Sequence, residues 1–182
     1  CDGPAGVNNF ITGTYGTPYP TEVLMAQTWN TNLLYDLGLA MGQEYADVNN
    51  YGVYGPAMNT HRSAFAGRNF EYYSEDGVLA GKLAAAQVNA MATKGTYNYI
   101  KHFALNDQET NRCAFLLTYS NEQAIREIYL KPFELCIKNF DGTQIAVMSS
   151  FNWIGTVPAC ANEDTLTTIL RNEWGFQGMV IT

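Results

Sequence analysis

Apolar residues recur along the chain at two spacings that alternate with each other. Apolar positions three or four residues apart predict a helix over 21–49, which a new N-cap near Asn30–Thr31 would divide in two. The unbroken apolar run Ile145-Ala146-Val147-Met148 is instead typical of a strand buried on both faces. The pattern therefore predicts helices alternating with buried strands.

Four helix–strand pairs follow from this pattern. The predicted helices cover 21–49, 75–93, 120–137 and 162–175, and the predicted strands cover 51–58, 96–105, 144–150 and 176–182. Gly95 is placed to end the second helix, Ser120 or Asn121 to begin the third, and Asn162 to begin the fourth. The order predicts an α/β protein with a parallel sheet, which a doubly wound sheet and a barrel satisfy equally well.

Composition narrows the class of protein. The chain has 182 residues, 47% of them hydrophobic, which is enough for the core of one domain. Its net charge is −7 and its 10 basic residues are scattered, so we expect no nucleic-acid partner. No apolar run approaches the roughly 18 residues of a membrane-spanning helix, so no membrane association is predicted. The chain does not begin with Met, which suggests a piece of a longer polypeptide.

The cysteines and histidines do not indicate a metal site. Four cysteines stand at positions 1, 113, 136 and 160, without a C-x-x-C pair, and the chain has only 2 histidines. We therefore predict free or buried thiols, no metal and no cofactor. A nucleotide-binding domain is disfavoured because neither G-x-G-x-x-G nor G-x-x-x-x-G-K-[ST] occurs.

Polar side chains gather where the predicted strands end. Arg62 and Arg68 follow the first strand, Lys101 and His102 end the second, and Ser149-Ser150-Phe151-Asn152-Trp153 ends the third. The carboxyl ends of parallel strands are where sites lie in barrels and open sheets. Neighbours on a regular strand point to opposite faces, so Lys101 and His102 can share one pocket only if the backbone departs from regular geometry there. A cis peptide that does not precede proline would provide such a departure.

Each of these residues also has a structural interpretation. Arg68 could pair with Glu71 or Glu75, Arg112 could pair with Glu109, and His102 could be a core histidine. The aromatic residues could pack in the core or at its rim rather than face a ligand. Spacing alone leaves these alternatives open.

Five strings in order make the sequence similar to a known family. They are GRNFEYYSED, IKHFALNDQETNR, EIYLKPFE, MSSFN and LRNEWGFQGMVIT, and the opening DGPAGV resembles the first motif of the same family. The family is glycoside hydrolase family 3, and the likeness runs from Asp2 to Thr182. The string after KHF resembles the glucosidase and xylosidase branch rather than the hexosaminidase branch.

The resemblance implies a fold, an activity and a set of binding residues. Residues 1–182 would form one segment of a (β/α)8 TIM-type catalytic barrel, whose parent enzyme hydrolyses terminal β-linked glucosyl or xylosyl residues with retention. The substrate would be a β-glycoside or an oligosaccharide. Asp2, Arg68, Lys101 and His102 match positions that bind sugar hydroxyls in the family, and Phe151 matches a further pocket position.

Three departures from the family pattern affect the expected chemistry. Asn8 stands where the family often has Arg, and Phe151 stands where it often has a Tyr that contacts the nucleophile. The family's nucleophile is the Asp that would directly follow Thr182, and its acid/base comes from a separate domain. We therefore expect no catalytic residue within 1–182, and we expect the other strands and the second domain in the rest of the parent polypeptide.

A different class of function remains open at this point. The same residues could form a non-catalytic carbohydrate-binding or interaction module. The residue after Thr182 would discriminate the two, because an Asp there supports the enzyme and a stop codon supports the module. The sequence leaves the compartment, cytoplasmic or secreted, undecided.

Overall fold

A computed structural model describes residues 1–182. Its helices are α1 Glu22–Ala26, α2 Thr31–Asp47, α3 Gly77–Ala92, α4 Glu122–Ala124, which continues as a π-helix over Ile125–Tyr129, and α5 Lys131–Lys138. A second π-helix covers Asp164–Glu173, and short 3-10 helices cover Asn69–Glu71 and Ala159–Ala161. The strands are β1 Asn8–Asn9, β2 Thr14–Tyr15, β3 Gly52–Val53, β4 Tyr97–Phe103, β5 Leu117–Thr118, β6 Ile145–Ser149, β7 Trp153–Ile154, β8 Val157–Pro158 and β9 Val180–Ile181.

Four strands form a parallel sheet in the order β3-β4-β6-β9. The register places Asn98 opposite Ile145 and Val147 opposite Val180. Strand order therefore follows chain order without the reversal that marks a doubly wound sheet. Successive helices also pack on one another, α2 on α3 and α3 on α5. This arrangement is that of consecutive βα units in a barrel, so it decides between the two architectures that the sequence left open.

Side-chain caps fix where the predicted helices begin. The Asn30 side chain accepts hydrogen bonds from the Asn32 and Leu33 N–H groups, which confirms the predicted break before α2. Asn121 caps α4 through the Ala124 N–H, and Asn162 accepts from the Thr165 N–H. Gly95 has a φ of +82° just beyond α3, a conformation that glycine adopts without a Cβ penalty.

The first and last strands of the sheet are shorter than predicted. The sequence predicted strands over 51–58 and 176–182, whereas the ladders include only Gly52–Val53 and Val180–Ile181. Pro56 has no N–H to donate, and the remaining contacts of this segment are single bridges, from Tyr54 to Asp2 and from Ala57 to Lys101. The pairs β1–β2 and β5–β7–β8 were not predicted, because strands of two residues show no periodicity.

The main core lies between the sheet and the helices. Its fully buried members include Leu83, Val88, Ile100, Phe103 and Phe133. The cysteines are all free, as predicted, with Cys136 inside this core. None of the helices combines the length and the apolar character required to span a membrane.

Candidate active site

A cavity of about 290 Å³ opens at the carboxyl end of the parallel sheet. All five residues predicted from the sequence as binding residues line it, namely Asp2, Arg68, Lys101, His102 and Phe151. Ile181 and Thr182, at the end of β9, line the same cavity. The structure therefore brings together residues that are separated by up to the whole length of the chain.

The backbone at Lys101–His102 departs from regular strand geometry, as predicted. The Lys101–His102 and Phe103–Ala104 peptide bonds are cis, and the β4–β6 register shifts between Ile100 and Phe103. Asn59 clamps this segment, because its Oδ1 accepts from the His102 N–H at 2.7 Å and its Nδ2 donates to the His102 carbonyl at 2.9 Å. Both side chains of the pair line the cavity.

The Lys101 ammonium lies between two carboxylates. Its Nζ is 3.0 Å from Asp2 Oδ1 and 3.5 Å from Glu71 Oε2, and its side chain is only 3% exposed. Asp2 is half exposed, and its Oδ1 also accepts from the Gly3 N–H at 3.0 Å. An ammonium so enclosed is held at one point of the cavity wall by charge-assisted hydrogen bonding.

Arg68 forms an ion pair and also lines the cavity. The structural interpretation, an ion pair, therefore does not exclude the functional one, a ligand-binding residue. Arg68 pairs with Glu71 through Nε, and its Nη1 is 3.7 Å from Glu109 Oε1. Burial alone would lower the pKa of Arg68, but the hydrogen bond and charge of Glu71 outweigh it and raise that pKa. Glu109 in turn binds Arg112 at 3.0 Å. The result is a row of alternating charges, Asp2, Lys101, Glu71, Arg68, Glu109 and Arg112, in which Asp2 and the three cations line the cavity.

His102 faces the cavity as a neutral imidazole. Burial lowers its pKa well below the usual value, and the positive charges of Arg68, Lys101 and Arg112 lower it further. The Tyr72 hydroxyl, which accepts from Asn106 Nδ2 at 3.1 Å, lies 3.4 Å from His102 Nδ1. With that hydroxyl donating to Nδ1, the ring proton is on Nε2 and serves as a hydrogen-bond donor.

Asn8 and Phe151, the two residues that depart from the family pattern, have different surroundings. The Phe151 ring is 49% exposed, and the Arg112 guanidinium lies 5.0 Å from its centroid, so the aromatic face contacts a cation. Asn8 does not line this cavity. It lines an adjoining cavity of about 600 Å³, which shares Asp2 and Arg68 with the first.

Sequence reasoning considered Glu71 and Arg112 only as ion-pair partners, of Arg68 and of Glu109, and the structure confirms both pairs. It did not predict that Glu71 also approaches Lys101 or that Arg112 lines the cavity. Trp153 packs against Phe115 and Trp174 packs against Phe103, so both aromatics follow the structural interpretation. Arg62 lies outside the cavity and its guanidinium stacks on Tyr129.

Replacing Glu71 by Gln is expected to destabilise the protein strongly. The change leaves buried Lys101 and half-buried Arg68 without the carboxylate that they share, and breaking a buried pair from one side costs about 3–5 kcal/mol. Urea unfolding measures the loss, and Glu75→Gln, at an exposed glutamate without an ion pair, is the matched control. Equal stability of the two variants would show that Glu71 does not hold the cations.

Comparison with known proteins shows which family the chain is similar to. The sequence profile of the glycosyl hydrolase family 3 N terminal domain matches residues 2–182. β-Glucosidase A of Butyrivibrio fibrisolvens is 44% identical over 183 residues, which is 100% of this chain and 22% of that protein. A β-glucosidase of Ruminococcus albus is 38% identical, over 100% of this chain and 19% of that protein.

Solved structures give the same result. β-Glucosidase 3B from Thermotoga neapolitana, in complex with glucose, superposes with a TM-score of 0.90 at 43% identity, over 98% of this chain and 26% of that one. A β-glucosidase from Bifidobacterium adolescentis superposes with a TM-score of 0.92 at 36% identity, over 98% of this chain and 26% of that one. The chain thus spans about a fifth to a quarter of the proteins it matches. It belongs to glycoside hydrolase family 3, and it matches the N-terminal domain of that family, which has a TIM-barrel-like fold.

Proposed function

We propose that this chain supplies the sugar-binding wall of a retaining β-glucosidase. The parent enzyme would hydrolyse terminal β-linked glucosyl or xylosyl residues, and the terminal sugar would occupy the cavity beside Lys101. The convergence of Asp2, Arg68, Lys101 and His102 on that cavity is the observation that carries the proposal. The relatives' names and the glucose complex of a similar structure support the same substrate class.

The cavity wall offers both kinds of hydrogen-bonding group that sugar hydroxyls require. The Asp2 carboxylate accepts, the Lys101 ammonium and Arg68 guanidinium donate, and neutral His102 donates through one ring nitrogen. Bonds to charged groups are the stronger ones, and they strengthen further as the ring flattens toward an oxocarbenium-like transition state. These side chains would therefore hold and orient the sugar rather than break the glycosidic bond.

We propose that the nucleophile is an Asp directly after Thr182. Thr182 already lines the cavity, so the next residue along β9 would lie beside the bound sugar. Its carboxylate would attack the anomeric carbon while an acid from another part of the parent enzyme protonates the departing oxygen. Water would then hydrolyse the glycosyl-enzyme, with the acid acting as base. Retention requires the two carboxyl groups to lie about 5–5.5 Å apart.

The proposal is tested on the full-length parent enzyme with nitrophenyl β-glucoside and β-xyloside. We expect hydrolysis of at least one substrate, with the β-anomer appearing first in time-resolved NMR. An α-anomer formed first would contradict retention. Glucose binding without turnover would instead support the non-catalytic carbohydrate-binding module.

A further inference from the structure

One buried acid near the cavity has no role in the proposed mechanism. Glu22 is the first residue of α1 and is completely buried, and neither of its carboxyl oxygens has a hydrogen-bond partner. The N–H groups of Glu22 itself and of Ala57 lie close enough to act electrostatically on the carboxyl, but neither meets hydrogen-bond geometry. Buried polar groups are nearly always satisfied, so this exception requires an explanation.

The surroundings of Glu22 connect it to the cavity wall. Helix α1 packs against the 3-10 helix that ends at Glu71, and against α3. The charges of Glu71 and Lys101 both act on the Glu22 carboxyl. Two further titratable groups, the phenols of Tyr45 on α2 and of Tyr73, are also within its electrostatic reach.

Charge balance indicates the state of this carboxyl group. The row of six charged side chains already contains three carboxylates and three cations, and Lys101 is bound between Asp2 and Glu71. An ionised Glu22 would be a fourth carboxylate, completely buried and with no hydrogen-bond partner for either oxygen, which is strongly unfavourable. Burial raises its pKa well above the usual value and the charge of Glu71 raises it further, against the opposing effects of the Glu22 and Ala57 N–H groups and of Lys101. Burial and the charges already present therefore favour the uncharged form of Glu22.

We infer that Glu22 is a positioning residue for Lys101: an uncharged carboxyl group, buried where α1 packs against the segment that carries Glu71, which does not draw the ammonium away from the cavity. A charged group in this place would compete with Asp2 for Lys101 and pull the ammonium inward. An empty space in this place would let Lys101 and Glu71 relax inward. The inference rests on the proposed sugar-binding role of Lys101.

Activity of the full-length parent enzyme tests the positioning role. Glu22→Ala is expected to lower kcat/KM for a nitrophenyl β-glucoside by between about 10-fold and 100-fold, the size of effect that a displaced positioning group produces. Glu22→Gln, which has the same shape and no charge, is expected to restore it to within about threefold of the natural enzyme. A Gln variant as impaired as the Ala variant would overturn the inference, because the charge would then be the required property.

A double-mutant cycle separates positioning from general structural damage. If Glu22 acts through Lys101, Glu22→Ala causes no further loss of kcat/KM in a Lys101→Ala background. Losses that multiply in the double variant would overturn the inference. Should Glu22→Ala fail to fold, the pH dependence of kcat/KM in the Gln variant decides. In the natural enzyme, we expect kcat/KM to fall at high pH when Glu22 ionises, and in Glu22→Gln we expect this fall to be absent. The same fall in both enzymes would overturn the inference.

Thermal unfolding tests the charge state without any substrate. Because the folded-state pKa of Glu22 is raised, its contribution to stability is fully present below the unfolded-state pKa and is lost as pH rises toward the folded-state value. The Tm of Glu22→Gln minus that of the natural enzyme should therefore increase from about pH 4 to pH 8. Glu75→Gln, at an exposed glutamate, should show no such trend.

A flat difference at Glu22 would overturn the inference. An enzyme that hydrolyses no β-glycoside would instead contradict the proposed function, and the Tm result would still report the charge of Glu22.

Discussion

Replacing Lys101 by Ala in the full-length parent enzyme is expected to lower kcat/KM for an aryl β-glucoside by about 10²–10³-fold. The ammonium is held within 3.0 Å of Asp2 Oδ1 and is almost inaccessible except through the cavity. A bound sugar would therefore meet a donor that needs no reorganisation. Its removal costs a charge-assisted hydrogen bond to the substrate and leaves the carboxylates of Asp2 and Glu71 without the cation between them.

The folded state must be monitored beside the kinetics. Glu71 keeps its pair with Arg68 in the Lys101→Ala variant, so we expect the protein to remain folded. Lys82→Ala, at an exposed lysine of α3 without an ion pair, is the matched control and should retain full activity. A structural role for Lys101 would give the opposite result, with a lower Tm and a folded fraction as active as the natural enzyme.

A polypeptide of residues 1–182 alone is expected to hydrolyse no β-glycoside. Positioning side chains without a carboxylate pair cannot form a glycosyl-enzyme intermediate. Strands β3 and β9 are also the edges of the four-stranded sheet, and by themselves they would expose unpaired backbone groups. The comparison is a longer version that includes the following strands and the second domain of the parent, which should be active.

Two carboxyl groups within the chain are the natural alternatives for a nucleophile. Burial raises the pKa of Asp107 to about 6, partly offset by Arg62, but its side chain does not line the cavity. Glu109 is engaged with Arg68 and Arg112. If residues 1–182 alone hydrolyse a β-glycoside, and Asp107→Ala or Glu109→Ala abolishes that hydrolysis, then the nucleophile lies within the chain and not after Thr182.

The sequence predicted the order of the main helices and strands better than it predicted their lengths. Side-chain caps at Asn30, Asn121 and Asn162 act locally, so their positions could be predicted from the residues that surround them. Strand ends depend on partners far along the chain, and proline removes a ladder donor in 51–58. The choice of a barrel over a doubly wound sheet also depended on pairings that no local pattern records.

The residues that line the cavity were predicted from their motifs, whereas the charged groups that surround them were not. The ion pair between Asp2 and Lys101 joins residues 99 positions apart, and only the fold brings them together. Glu22 stands in an otherwise apolar helical run, where sequence gives no sign that its carboxyl lies near Lys101. Buried polar groups of this kind become visible only when the packing around them is known.

The central claim is that the residue after Thr182 is the nucleophile of a retaining β-glucosidase. The sugar site of that enzyme would be the cavity at the carboxyl end of the parallel sheet. Mechanism-based labelling of the full-length parent enzyme with a 2-deoxy-2-fluoro-β-glucosyl fluoride, followed by peptide mass mapping, tests this claim most directly. The predicted result is one covalent glycosyl group on an Asp immediately after Thr182, with loss of activity in proportion to labelling. A label on any other residue, or an active enzyme that forms no covalent adduct, would contradict the claim.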